Sequence, residues 1–112
     1  MATKSFLGEF EQMVLLAVMA GGNDASGVDI SQELERSADR KVSKGSLYTT
    51  LDRLKKKGLL NWRIEPGDIA RSGLPRRHFT VTERGVKALR ESRSALLNLW
   101  RNAEDVLGEA GG

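Results

Sequence analysis

The segment from Val42 to Leu60 constrains this chain most, because both ends of one helix are written into it. Ser43 is a capping residue whose hydroxyl can accept an orphan backbone N–H. Val42 and Leu47 occupy the two positions of a hydrophobic staple. Leu47, Leu51 and Leu54 recur at helical spacing and predict one buried stripe. Gly58 predicts a C′ residue, with Leu59 folding back on Leu54 in a Schellman ending. Lys55, Lys56 and Lys57 suit the negative end of the helix dipole. The opposite face carries Lys44, Ser46, Tyr48, Thr49 and Arg53. Small polar donors and cations at a helix start suit a nucleic-acid groove.

Two helices precede this one. Gly8 to Ala20 predicts the first, with Phe10, Met13, Val14, Ala17 and Val18 on one face. Leu15, Leu16 and Met19 widen that face, which places the helix centrally in the core. Gly21-Gly22-Asn23-Asp24 ends it in a loop. The second helix is expected over Val28–Ala38, capped by Ser26 with Asp29 three residues on. Ile30, Leu34 and Ala38 give it a narrow apolar stripe. A tight turn around Arg40 then leads to Ser43, which makes a helix-turn-helix.

After Gly58 the period changes to two. Leu60, Trp62 and Ile64 alternate with Asn61 and Arg63 and predict a strand. Pro66-Gly67 opens an expected loop that runs through Pro75, and a second strand covers Arg77–Thr82. The two strands form a hairpin, or wing, that must pack on the helices to be stable. Thr82 caps a last helix reaching about Leu107, and Gly108 to Gly112 reads as a frayed tail. Val86, Leu89, Arg93, Leu96, Trp100, Ala103 and Leu107 follow a heptad seam. A helix of about 25 residues is about 37 Å long. A globule of this chain length is only about 34 Å across. The helix is therefore expected to project and to pair with a second copy.

The fold class that follows is mainly α with a small β hairpin: a winged helix-turn-helix over residues 1–82, a dimerisation helix over 83–107 and a flexible tail over 108–112. The net charge of +3 conceals an asymmetry. Residues 40–77 hold eleven Lys/Arg and three acids, a net +8, which leaves −5 for the remainder. A basic middle between mildly acidic ends points to a polyanionic partner. The chain has no cysteine, which excludes disulfides and Cys-based zinc sites and fits a cytoplasmic protein. No apolar run is long enough for a bilayer, and no signal peptide is visible. His78 is the only histidine, and no Gly-rich phosphate loop follows a strand. The expectation is a protein that is not an enzyme, with no cofactor and no metal.

Four pieces of the chain together resemble the PadR family of bacterial transcriptional regulators. Ser26-Gly27-Val28-Asp29-Ile30 resembles that family's start of the second helix. Ser43 to Leu51 resembles its recognition-helix signature, and Lys57-Gly58-Leu59-Leu60 its helix exit. Arg76 to Gly85 resembles the second wing strand and the Thr-Glu-x-Gly start of the dimer helix. Thr49-Thr50 departs from the family, which often has proline after the tyrosine. The resemblance implies a homodimeric repressor on a pseudo-palindromic operator, of the compact branch with a single C-terminal helix.

The candidate contacts to double-stranded DNA are Ser43, Lys44, Ser46, Tyr48, Thr49 and Arg53 on the third helix. Lys44 and Arg53 are assigned to phosphates, and Arg71, Arg76 and Arg77 to the wing, where arginine suits a narrow minor groove. Tyr48 has two readings, a phosphate or thymine-methyl contact and a packing role. Trp100 also has two: dimer packing, or a cavity for a planar aromatic effector, which the resemblance allows. Two rival functions stay open at this point. One is a winged helix that binds protein and not DNA; the other is a regulator of a different winged-helix family.

Overall fold

The structure is a computed structural model and describes residues 7–69, 73 and 75–110. Its elements are α1 (Glu9–Ala20), β1 (Ala25–Ser26), α2 (Gly27–Ala38), α3 (Lys44–Lys56), β2 (Leu60–Ile69), β3 (Pro75–Val81) and α4 (Glu83–Ala110). The three strands form one antiparallel sheet in the order β1-β3-β2. Together they make a winged helix with a long C-terminal helix.

Helix α1 is central, as its composition demands. Val14, Leu15 and Val18 are fully buried, and Ala17 nearly so. Its N-terminus has no capping side chain at Gly8, so the Glu11 carboxylate serves instead, accepting the Gly8 N–H at 3.0 Å. Helix α2 opens on a complete capping box. Ser26 Oγ accepts the Asp29 N–H at 3.2 Å, and Asp29 accepts the Ser26 N–H at 3.1 Å. Ile30 and Leu34 anchor α2 on α1 and α3.

Helix α3 has both of its marked ends. Ser43 Oγ accepts the Ser46 N–H at 3.1 Å. At the other end the Leu59 N–H donates to the Leu54 carbonyl at 3.0 Å and the Gly58 N–H to that of Lys55 at 2.9 Å. These are the two bonds of a Schellman motif, and Gly58 takes the left-handed φ of +77° that the motif requires. Leu47, Leu51 and Leu54 are buried. Thr82 then joins two helix ends. Its hydroxyl donates to the Gly58 carbonyl at 2.8 Å and accepts the Gly85 N–H at 3.1 Å, capping α4 against the exit of α3.

The sheet differs from the expected hairpin in two ways. A third strand is present: Ala25 and Ser26 pair with Phe79 and His78. Asn23 extends that edge, because its side-chain amide donates to the Val81 carbonyl and accepts the Val81 N–H, at 3.3 and 2.7 Å. Strand β2 also continues through Pro66-Gly67, where a loop was expected, to Ile69 opposite Pro75. Proline is tolerated there because β2 is an edge strand, and the register shifts between Ile64 and Ile69.

Helix α4 runs to Ala110, past the expected end at Leu107. At 28 residues it is about 42 Å long. The radius of gyration is 16.6 Å, against about 13 Å for a compact globule of this length. Only the first part of α4 touches the body: Leu89 and Ser92 are buried, and the Leu7 N–H donates to Ser92 Oγ at 3.4 Å. From Leu96 to Gly108 every residue is exposed. Among the described residues no helix is long and apolar enough to cross a membrane.

Candidate nucleic-acid interface

The outward face of α3 presents Lys44, Gly45, Ser46, Thr49, Asp52 and Arg53, all exposed. The leucine stripe on the opposite side fixes this orientation. Ser43 is also exposed, but its hydroxyl is committed to the cap: it accepts the Ser46 N–H and donates to Ser46 Oγ at 2.9 Å. Thr49 and Arg53 line a cleft of about 770 Å³ shared with Phe10, Arg40, Lys41 and Val42. Arg40 closes one side of it. Its guanidinium lies 5.0 Å from the Phe10 ring centre and 3.1 Å from Glu9, so the turn between α2 and α3 is pinned to α1.

Tyr48 points a different way. It is half-buried and meets Phe79 edge to face at 6.3 Å. Its ring lies against Gly27, where an added Cβ would come within 2.9 Å of Cζ and closer still to the hydroxyl. Its position is thus set by the start of α2 and by β3.

The wing places Arg77 on the helix-facing side of the sheet, because it pairs with Ile64 on the same face as Phe79 and Trp62. Its guanidinium sits 4.6 Å from the Trp62 ring centre and 3.8 Å from the Asp52 carboxylate. Arg76 is half-buried, and Arg71 lies outside the described residues. On the other face, Arg63 holds both Asp24 carboxylate oxygens at 3.0 and 3.1 Å and also contacts Glu65.

These pairings redistribute the charge that the sequence counts. Arg40 meets Glu9, Lys41 meets Glu35 at 3.9 Å, Lys57 meets Glu11, Arg63 meets Asp24 and Arg77 meets Asp52. Among the described residues, the cations of the basic segment that make no ion pair are Lys44, Arg53, Lys55 and Lys56. All four stand on α3. The uncompensated positive charge is therefore concentrated on the helix whose outer face is small and polar. Sequence reasoning missed Asp52 and Trp62 as neighbours of Arg77. The only available signal was that Asp52 is the sole acid in α3.

The seam of α4 divides in two. Leu89 and half-buried Val86 pack on the chain's own core. Arg93, Leu96, Trp100, Ala103 and Leu107 are exposed, Leu96 by 48% and Trp100 by 55%.

Comparison with known proteins agrees with this geometry. Residues 15–91, from the middle of α1 into α4, match the transcriptional regulator PadR-like family. The transcriptional regulator Rv3488 of Mycobacterium tuberculosis is 42% identical over 89 residues, which is 80% of this chain and 76% of that protein. The crystal structure of a PadR-like transcription factor from Bacteroides fragilis superposes with a TM-score of 0.71 at 27% identity, covering 87% of this chain and 88% of that one. Bacillus subtilis PadR, solved in complex with operator DNA, shares the fold at 20% identity and a TM-score of 0.61, over 73% of this chain and 46% of that chain. On the family match over more than half its length, the chain belongs to the PadR-like family of transcriptional regulators.

Proposed function

We propose that this protein is a cytoplasmic, dimeric transcriptional repressor that binds a pseudo-palindromic operator through α3 and the wing. One observation carries the reading: among the described residues, the cations of the basic segment that make no ion pair all stand on α3, around an outer face of small polar residues. Lys44 and Arg53 take phosphates, and Ser46 and Thr49 face base edges in the major groove. Ser43 fixes the helix start, and Tyr48 sets the seat of α3 on the body. Arg76 and Arg77, with Arg71, serve the wing. The operator complex of Bacillus subtilis PadR supports this use of the fold.

The division of labour is a winged helix over 1–82 and a pairing helix beyond it. The exposed seam of α4, Arg93, Leu96, Trp100, Ala103 and Leu107, joins two copies, with Val86 and Leu89 rooting it in each body. Two α3 helices then stand about 34 Å apart, one turn of DNA. A planar aromatic effector held between two Trp100 rings would change that spacing and release the operator.

Salt titration tests the DNA reading. Retention on duplex DNA should fall steeply with salt, with a log–log slope of about −0.9 per phosphate contacted. Replacing Lys44, Arg76 and Arg77 together by alanine should abolish retention and leave the dimer intact. Salt-independent or absent binding would favour a winged helix that contacts protein instead.

A further inference from the structure

Asp52 is out of place for a surface that faces a polyanion. It is the one acid in α3, it is exposed, and it stands beside Arg53 and one turn before Lys56. A carboxylate there repels phosphate unless its charge is used. The structure shows its use: Asp52 Oδ1 lies 3.8 Å from Arg77 Nη1, while the Arg77 guanidinium covers the Trp62 ring at 4.6 Å. Three elements, α3, β2 and β3, thus converge on one cation. The strand alternation dictates this, because Arg77 follows Val81 and Phe79 along the helix-facing side, at the point where the apolar core ends.

We infer that Asp52 holds Arg77 neutralised on the side of α3 and acts as a positioning residue that limits non-specific attraction to DNA. This rests on the DNA-binding reading above. The pair is half exposed, and an exposed pair at this distance holds weakly against a competing charge. A phosphate brought close to the wing can therefore capture Arg77, but only when α3 is seated deeply enough for the wing to reach the backbone. Loose encounters meet a neutral pair; a seated complex meets a released arginine. Trp62 keeps the guanidinium at the rim in both states, so the exchange needs no movement of the strand.

Two measurements on the full chain test this. The first uses no DNA. In ¹⁵N-labelled protein the Arg77 Nε–H resonance should move on Asp52→Asn, because the carboxylate beside it has lost its charge. The second measures binding of a random-sequence 30-base-pair duplex between 50 and 200 mM salt. Asp52→Asn should bind it more tightly than the unaltered protein and steepen the log–log slope by about 0.9, the release of one further counterion. Over that fourfold salt range the variant should lose about 3.5-fold more affinity than the unaltered protein. Both differences should vanish when Asp52→Asn is introduced into an Arg77→Gln background. Equal slopes for the two proteins on a duplex that both bind would overturn the inference and leave the DNA reading standing. So would an increment that persists without Arg77, since Asp52 would then act on DNA by itself, or an Arg77 resonance that does not move. A shifted resonance with no salt-dependent binding by either protein would overturn the DNA reading, and the inference with it.

Discussion

Lys57 at the end of α3 donates a 2.8 Å hydrogen bond to Glu11 in the first turn of α1. The same carboxylate accepts the Gly8 N–H that caps α1, so one side chain fastens the start of the central helix to the exit of α3. Its side chain is only 12% exposed. Burial raises the Glu11 pKa, but the Lys57 hydrogen bond, the Gly8 N–H and the nearby charges of Lys57 and Arg53 outweigh it. The carboxyl is held below its ordinary value.

A lowered folded pKa means that the unfolded chain binds more protons over that window, so stability rises with pH there. The contribution of Glu11 is complete above the unfolded value of about 4.3 and is lost as pH falls through the lower folded value. Glu11→Gln should therefore cost about 1 kcal/mol at pH 7, a figure discounted for the half-exposed lysine. The difference between the two proteins should narrow as the pH falls below the unfolded value of about 4.3. Urea midpoints measured from pH 7 to pH 3 check this; a constant offset would mean that packing, and not charge, is responsible.

Tyr48 and Gly27 make a second prediction. Because a Cβ on Gly27 would meet the Tyr48 ring, Gly27→Ala should destabilise the fold by about 1–3 kcal/mol through overpacking. Tyr48→Phe removes the nearest atom. The double variant should recover about 1 kcal/mol or more of the loss, a coupling that thermal or urea unfolding of the four proteins will measure. Additive losses would show that Tyr48 is not held by the start of α2.

These two contacts mark the boundary of what the sequence makes legible. The ends of α3 are readable because Ser43, Gly58 and Leu59 act on their own backbone within a few residues. That a long helix closes the chain is readable because its seam is periodic, though not its run past Leu107 to Ala110, and the winged helix as a whole is readable too. Strand β1 is not, since Ala25 and Ser26 find their partners 54 and 52 residues away and carry locally only the signal of a cap. The continuation of β2 through Pro66 is masked because turn residues are tolerated on an edge strand. The cation count is legible, but its spending is not: the acids that neutralise Arg40, Lys57 and Arg63 come from α1 and the loop before β1. The orientation of Tyr48 belongs to the same class, because it depends on a glycine on another helix.

Gly45 offers a test that separates folding from the proposed recognition. Nothing lies within 4 Å of an added Cβ there, so the free protein has room for alanine. Gly45→Ala should raise stability by about 0.5 kcal/mol, because alanine loses less conformational entropy in a helix. On the outer face of α3 the same methyl group would hold a DNA backbone or base edge away. Duplex affinity should fall about tenfold, roughly 1.4 kcal/mol. Retained affinity with raised stability would remove this end of α3 from the interface.

The distal half of α4 supplies the last test. Leu96, Leu99 and Trp100 expose about half or more of their surfaces in the single chain, and no residue from Leu96 to Gly108 is buried by the body. A helix without packing partners is marginal in water, so under the pairing proposed above this segment's order depends on the second copy. Leu96→Lys with Trp100→Glu should leave the winged helix folded, because neither side chain belongs to its core. The variant should sediment as a monomer at micromolar concentration and lose part of its helical circular dichroism. Its operator affinity should fall about a hundredfold or more, because the second half-site is no longer bound at high effective concentration. Sedimentation velocity and circular dichroism on the same samples decide the matter. A dimer that persists would assign the pairing to another surface, with the exposed Leu16 and Met19 of α1 the next place to substitute.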